Sequence, residues 1–476
     1  MLQFLHCYNF YIVAIFYKVA VYPVKNKKLS KPCCYFLHKM LKFLYMCTPI
    51  LDMLKNYANK TPLRFHMPGH KGNDDVFFKN VFPFDITELD FSDNLLQPTG
   101  VIAQAQNLFA NAVGAQNCFF VTNGSTCGVL AMVASAKGKL LVERASHASV
   151  FNAIDLFGKN AVVANNRVEN GKFCPMTLAQ IEQCVDIHKD IQTILLTSPN
   201  YYGECCELEK IYGFCKSKNI TLFVDGAHGA HFGFSNLLPQ SIAKNCHACV
   251  VSTHKTMHAL TQTACLFAQD CVAQQIKQKL NVFNSSSPNY LLLASIDYAR
   301  AYFKQQVEQG VDKQTFEMIE QIKSLPNVSF LPNDDFSRLV LDNTNGARAS
   351  EWLKQKGVYV EFNDLSHVVL IVSLAENKQN LLQLKKVLAT MPQFDKVCSH
   401  DVQYANVCDE ICHCNGETML VDVNDANGYI CAQQCGGYPP CIPLFLKGEK
   451  ILQADRLLLF NDTFGLHNEK IKVFKK

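Results

Sequence analysis

The chain has 476 residues, of which 49% are apolar and 18% charged, with a formal net charge of +4. That is long enough for two or three domains around a large core, and the balance excludes a disordered chain and gives no signature of polyanion binding. The 22 cysteines are scattered through apolar runs rather than forming a short framework, which favours reduced thiols in a cytosol.

Residues 2–23 are apolar and aromatic, interrupted by His6, Asn9 and Lys18, and the basic run KNKKLSKPCC follows. Three readings apply to this 1–45 extension: a mistranslated upstream stretch, a membrane anchor, or a signal peptide. Lys18 lies inside the apolar run, no small-residue cleavage site follows, and Met40 and Met46 precede an amphipathic start. A spurious or dispensable extension is the favoured reading.

Apolar spacing predicts a helix over 50–59. The segment TPLRFHMPGHKG (61–72) carries Pro62, Pro68, Gly69 and Gly72 and is expected to be an ordered loop. Its histidines and basic residues suit an anionic site or plain exposure. The acidic stretch 84–95, with Asp85, Glu88, Asp90 and Asp93, suits a distal cation or a solvated face. A helix is expected over 101–115, ending at Gly114.

CFFVTNGSTCGVLAMVASA (118–136) reads as strand, tight turn and helix. Ser125 and Thr126 stand where the helix begins, and free N–H groups there attract an anion. An ordinary helix cap is the competing reading. Residues 139–158 repeat the scheme with His147 after the strand, as do 191–219 with Asn200, Tyr201 and Tyr202 in the loop. ITLFVDGAHGAHFGF (220–234) supplies a strand ending in Asp225. CHACVV (246–251) leads into STHKTMHALTQTA (252–264), a polar turn holding Lys255. Strands alternating with helices predict a mostly parallel sheet, whose ligands bind at the strands' carboxyl ends. His147, Asn200, Asp225, His228 and Lys255 all fall there.

A carboxylate straight after a buried run is costly without a cationic partner. Asp225 therefore suits a protonated ring nitrogen, and Lys255 suits a phosphorylated aldehyde. Both are what pyridoxal 5'-phosphate (PLP) demands. The alternatives are an Asp capping a turn and a solvated Lys.

FHMPGHKG, TNGSTCG, ASHASVFNA, TSPNYYG, VDGAHGAHF and STHKTMHALTQ occur in that order. Together they closely resemble the PLP-dependent Orn/Lys/Arg decarboxylases of fold type I, in the short bacterial form without an N-terminal wing domain. The likeness covers roughly residues 50–390 and, more weakly, the C-terminus. It implies Lys255 as the covalent anchor of the cofactor, with Ser252 and His254 as phosphate contacts and Ser125 and Thr126 as the phosphate-cradling turn. It also implies His147 stacked on the ring, Asp225 on the ring nitrogen and His228 near the ring's 3'-oxygen. Ser286 resembles a residue that reaches the phosphate of a neighbouring subunit, which implies a homodimer or higher homo-oligomer with shared sites. The chain departs from the family at Gly226, usually Glu, at Ala148, often Lys, around FSDNLLQPTG, and at Cys441 in place of Gly.

The expected architecture is α/β: a fold type I large domain with a mostly parallel sheet (46–305), a small α+β domain (306–392) and a C-terminal decarboxylase-type domain (393–476). The expected reaction is decarboxylation of lysine, arginine or ornithine to cadaverine, agmatine or putrescine, in the cytoplasm, with no nucleic-acid partner and a membrane only if the extension acts as an anchor. Lys255, His147 and Asp225 are the expected catalytic residues. An aminotransferase or β-eliminating lyase of the same fold is the alternative. Cys408, Cys412, His413, Cys414, Cys431 and Cys435 have irregular spacings without paired CxxC knuckles, and ordinary thiols are expected rather than a metal site.

Overall fold

The computed structural model describes residues 46–73, 77–342, 344–395, 406–411, 415–459 and 462–475. The 1–45 extension, and with it the anchor reading, lies outside them, as do Cys412, His413 and Cys414.

Helix α1 (Pro49–Asn59) opens with proline in its first turn, where the missing N–H costs nothing, and buries Pro49, Ile50 and Leu54. Helix α2 (Val101–Val113) ends where Gly114 takes a left-handed φ of 71°, as its position after the apolar pattern predicts. Strand β1 (Asn117–Val121) then leads into α3 (Gly124–Ser135), and β2 (Lys139–Glu143) into α4 (Ala148–Phe157). After β3 (Ala161–Ala164), a small hairpin of β4 (Val168–Glu169) and β5 (Lys172–Phe173) precedes α5 (Leu178–Ile187). Next come β6 (Ile191–Thr197), α6 (Leu208–Ser217), β7 (Thr221–Asp225) and β8 (Ala248–Val251). The polar turn expected at 252–264 contains one helical turn, α7 (Thr253–Thr256), before β9 (Ala264–Ala268). Four residues with no apolar period give no helical signal of their own.

These strands make one sheet, ordered β1-β9-β8-β7-β6-β2-β3, with β14 (Cys408–Glu410) at the far edge. The five neighbours from β8 to β3 pair in parallel, while β9 and β14 run against their neighbours. The central strands are apolar on both sides because helices cover both faces. Leu140, Leu141, Val142, Ile194, Leu195, Leu222 and Val224 have no exposed surface. Each such side chain contributes roughly 1.5–3 kcal/mol of burial.

Helix α8 (Asp270–Phe283) packs on α3, and α9 (Tyr290–Glu308) on α1 and α2. After α10 (Val311–Lys323), a four-stranded antiparallel sheet runs β10-β11-β13-β12, from β10 (Ser329–Phe330), β11 (Arg338–Asp342), β12 (Phe362–Asn363) and β13 (Val368–Ile371). Helices α11 (Gly346–Gln355) and α12 (Lys378–Ala389) accompany it. One apolar core joins the large sheet to Met318, Leu339, Val368 and Leu388 without a break. Residues 418–475 have a core of their own around Val423, Cys431, Cys435, Phe445, Ile471 and Val473.

Candidate active site

The carboxyl ends of the parallel strands open on a cavity of ≈ 570 Å³, within the usual range for small-molecule sites, roughly 300–1,000 Å³. Ser125, Thr126, His147, Asp225, His228, Ser252, His254 and Lys255 all line it. Ser286 does not; it is exposed in the loop after α8.

At one end lies the start of α3. Gly124 turns the chain with a φ of 74° and donates its N–H to Gln262 O (2.7 Å). No side chain caps this helix, so beyond Gly124 its first-turn N–H groups are left without a side-chain cap. They lie with the positive end of the dipole where Ser125 and Thr126 line the cavity. Ser252 Oγ donates to Ser125 Oγ (2.9 Å), bringing the α7 turn against the same spot. His254 Nδ1 lies 2.8 Å from Thr263 O, which only a protonated Nδ1 satisfies, so Nε2 is left for a ligand. An anion the size of a phosphate fits these donors.

At the other end Asp225 closes β7, buried, with Oδ1 accepting from Ala227 N (3.1 Å). Burial raises its pKa, and the Lys255 charge and the Ala227 N–H only partly oppose this. Among the described residues it has no salt-bridge partner within 4 Å. A buried carboxylate in that state gains from a cation placed on it, which is what a protonated ring nitrogen supplies.

His147 sits at the N-cap of α4, where Nδ1 accepts from Ser149 N (3.1 Å). Burial, and then the nearby Lys255 charge, depress its pKa to about 4, so the ring is neutral at physiological pH and free to stack. Lys255 Nζ lies 3.1 Å from His228 Nε2 and 5.6 Å from the centre of the Tyr201 ring. Burial lowers the Lys255 pKa, against the pull of Asp225 and Glu361. Phosphate donors, ring carboxylate, stacking imidazole and amine are the set that PLP requires, and they fit it.

Four further features shape the cavity; the sequence marks Tyr201 and the segment around Cys441 without a role, and singles out neither Glu143 nor Arg338. Glu143, at the end of β2, is fully buried and accepts from Asn166 Nδ2 (2.7 Å) and from the Thr197 N–H; burial pushes its pKa up to about 7. Tyr201 packs its ring 4.3 Å from that of His228. Arg338, from the first residue of β11, reaches His228 Nδ1 with Nη2 (3.2 Å) and is wholly buried. The C-terminal segment 437–444 forms a cover, lining the cavity with Gly437, Pro439, Pro440 and Ile442. It is held by Ala148 N donating to Cys441 O (2.8 Å) and by the Arg144–Glu449 ion pair. Glu143 carries the signal of an acid at a strand end and the cover resembles the family's C-terminal segment, but nothing local marks Arg338.

Other candidates are taken up by the scaffold. Asp93 accepts from the N–H groups of Thr99, Gly100 and Ile102 and so pins the start of α2. His70 pairs with Asp85 (3.1 Å), and Arg64 donates to the carbonyls of Phe82 and Asp85. None of these lines the cavity of its own chain. Cys408, Cys431 and Cys435 are free and buried, and no metal-holding cluster of three His, Cys, Asp or Glu occurs among the described residues. No helix of the described residues is long and apolar enough to cross a membrane.

The profile of the Orn/Lys/Arg decarboxylase major domain matches residues 48–335. An uncharacterized protein of Bacillus subtilis (strain 168), YaaO, is 31% identical over 90% of this chain and 97% of its own length. An arginine decarboxylase of Halalkalibacterium halodurans is 27% identical over 86% of this chain and 92% of its own. Among solved structures, a lysine decarboxylase of Francisella novicida superposes with a TM-score of 0.76 at 16% identity, covering 94% of this chain and 84% of that one. The constitutive lysine decarboxylase of E. coli gives 0.72 at 15% identity, over 90% and 82%; at such identities the likeness is one of fold. The chain belongs to the Orn/Lys/Arg decarboxylase family, and is an amino-acid decarboxylase of basic amino acids with pyridoxal phosphate as its cofactor.

Proposed function

We propose that Lys255 anchors the cofactor and that the chain converts arginine, lysine or ornithine into agmatine, cadaverine or putrescine and CO2. The observation that supports this most is the meeting of Lys255, Asp225, His147 and the Ser125–Thr126 turn in one cavity. Arginine is the first substrate to test, because relatives matched over most of the chain carry the name arginine decarboxylase.

When bound, pyridoxal phosphate supplies an electron-withdrawing ring that accepts the bond electrons left as CO2 departs. Ser125, Thr126, Ser252 and His254 hold the phosphate end. Asp225 keeps a proton on the ring nitrogen, stabilising charge where it develops in the transition state. His147 presents a flat neutral ring to one face and fixes the plane. Lys255 and His228 form a pair through which a proton returns to the reacting carbon from Nζ. Gly437, Pro439 and Pro440 shield the reacting end from water. Asp364 lines the same cavity, held by Tyr202 Oη (2.7 Å), the Ser366 and His367 N–H groups and His367 Nδ1 (2.9 Å), and is an acidic group that a basic side chain entering the cavity would meet.

A second subunit is part of this reading. Ser286 is exposed rather than folded into its own cavity, and Leu63, Phe65, Met67, Phe77 and Phe78 leave a large apolar area uncovered. A homodimer that covers this area and shares sites accounts for both. The buried free cysteines suit a reducing cytoplasm.

The test supplies the purified protein with PLP and each of the three amino acids in turn. Equal amounts of CO2 and the matching amine from one of them support the reading. Keto acid without CO2 points instead to transamination.

A further inference from the structure

Arg338 is the largest fully buried side chain among the described residues, and a guanidinium only donates hydrogen bonds. It reaches the active-site loop because Gly203, with a φ of 84°, leaves no side chain in its way; a Cβ there would lie 2.9 Å from Arg338 Cβ. Its Nη2 meets His228 Nδ1 at 3.2 Å, so Nδ1 must accept and carries no proton. His228 is then the neutral tautomer with its proton on Nε2. That N–H points at Lys255 Nζ, 3.1 Å away, and the amine must accept in turn. An ammonium, which has no lone pair, cannot accept.

We propose that Arg338 is a positioning residue which, by fixing the tautomer of His228, holds Lys255 as the free amine that captures the cofactor's aldehyde. In that capture the Nζ lone pair forms the bond to the aldehyde carbon, and the aldehyde oxygen leaves as water with the two amine protons. The inference rests on Lys255 being the anchor.

The groups around the pair act in both directions. Burial and the Arg338 charge favour the free amine, while Asp225 at the end of β7, Glu361 before β12 and Cys441 in the C-terminal cover favour the ammonium. Burial first, and then Lys255, Arg338, His147 and His231, oppose a second proton on the His228 ring. His231 is engaged by Asp335 (3.1 Å), three residues before Arg338, so the same small-sheet approach pins both histidines of the HGAH segment. The Arg338–His228–Lys255 chain of donors therefore sets which form of the amine the geometry accepts.

Two measurements on the full chain freed of cofactor test this. Nitrogen NMR of ¹⁵N-histidine protein, with the His228 signals identified by their loss in His228→Gln, is expected to show a bare Nδ1 and a protonated Nε2 around neutral pH. A proton on Nδ1 overturns the proposal and requires no altered residue at 338. Second, PLP is added and the visible band followed in time. Arg338→Met is expected to slow capture about tenfold, the population change of one pKa unit, and to move its pH profile upward, with Arg338→Lys restoring both. Unchanged rate and profile in folded Arg338→Met overturn the proposal. Capture of PLP at the normal rate by Lys255→Ala would instead overturn the anchor reading on which it rests.

Discussion

The cavity has two walls of different origin. One is made at the carboxyl ends of the strands, where Asp225 closes its own strand and Ser125, His147 and Lys255 each follow theirs by a few residues. The other is brought from far along the chain: Arg338 from the antiparallel sheet, and Gly437–Leu444 from the C-terminal segment. In the proposed reading the first wall holds the groups that touch the cofactor, and the second sets their protonation and keeps water out. A parallel sheet delivers chemistry locally, whereas tuning comes from whatever later segments pack across its mouth.

Changes in the two walls should therefore differ in kind. Lys255→Ala is expected to abolish the visible cofactor band and cut turnover by about 10²–10⁴ or more. Asp225→Ala should weaken PLP binding and lower turnover about 10²–10³-fold. Titration with PLP and steady-state rates check both, and wild-type turnover in either would break the first wall's role. In the second wall, Gly203→Ala forces a left-handed φ on a residue with a Cβ facing Arg338, so a loss of about 1–3 kcal/mol in denaturant stability is expected, with slower cofactor capture.

Asp93→Ala sharpens the comparison from outside both walls. It removes the carboxylate that caps α2 and should cost about 1 kcal/mol, with PLP affinity unchanged. The smallest effect is a pH dependence. The unfolded chain protonates His147 below about pH 6.5 but the folded one only near 4, so its contribution to stability is present above 6.5 and is lost as pH falls toward 4. Glu143 acts oppositely, its folded value being about 7 against 4.5 unfolded, so its contribution fades as pH rises to 7. Melting curves of the cofactor-free wild type against His147→Phe, where Glu143 is unchanged, isolate the imidazole: the wild type should lose ground to the variant on the acid side.

The legibility of the site follows the same division. A buried run ending in Asp225, or a small polar turn before an apolar helix at Ser125, is a local pattern that a strand or helix start imposes on neighbouring residues. The α/β order of β1, β2, β6, β7 and β8 followed from such patterns. The one-turn helix at Lys255 and the short β3 were too brief to show a period. Arg338 reads in FSRLVLD as a polar residue at a strand start; only the approach of β11 to Gly203 makes it a partner of His228. Asp93 shows the reverse case, an acidic residue whose local setting, a helix that starts eight residues later, claims it for structure.

The account turns on Lys255, where both walls meet. The direct measurement is borohydride reduction of the PLP-loaded protein followed by digestion and mass spectrometry of the modified peptide. The account predicts a pyridoxyl group on Lys255, in the peptide spanning Ser252–Met257. The same group on a different lysine, with Lys255 unmodified, would contradict it.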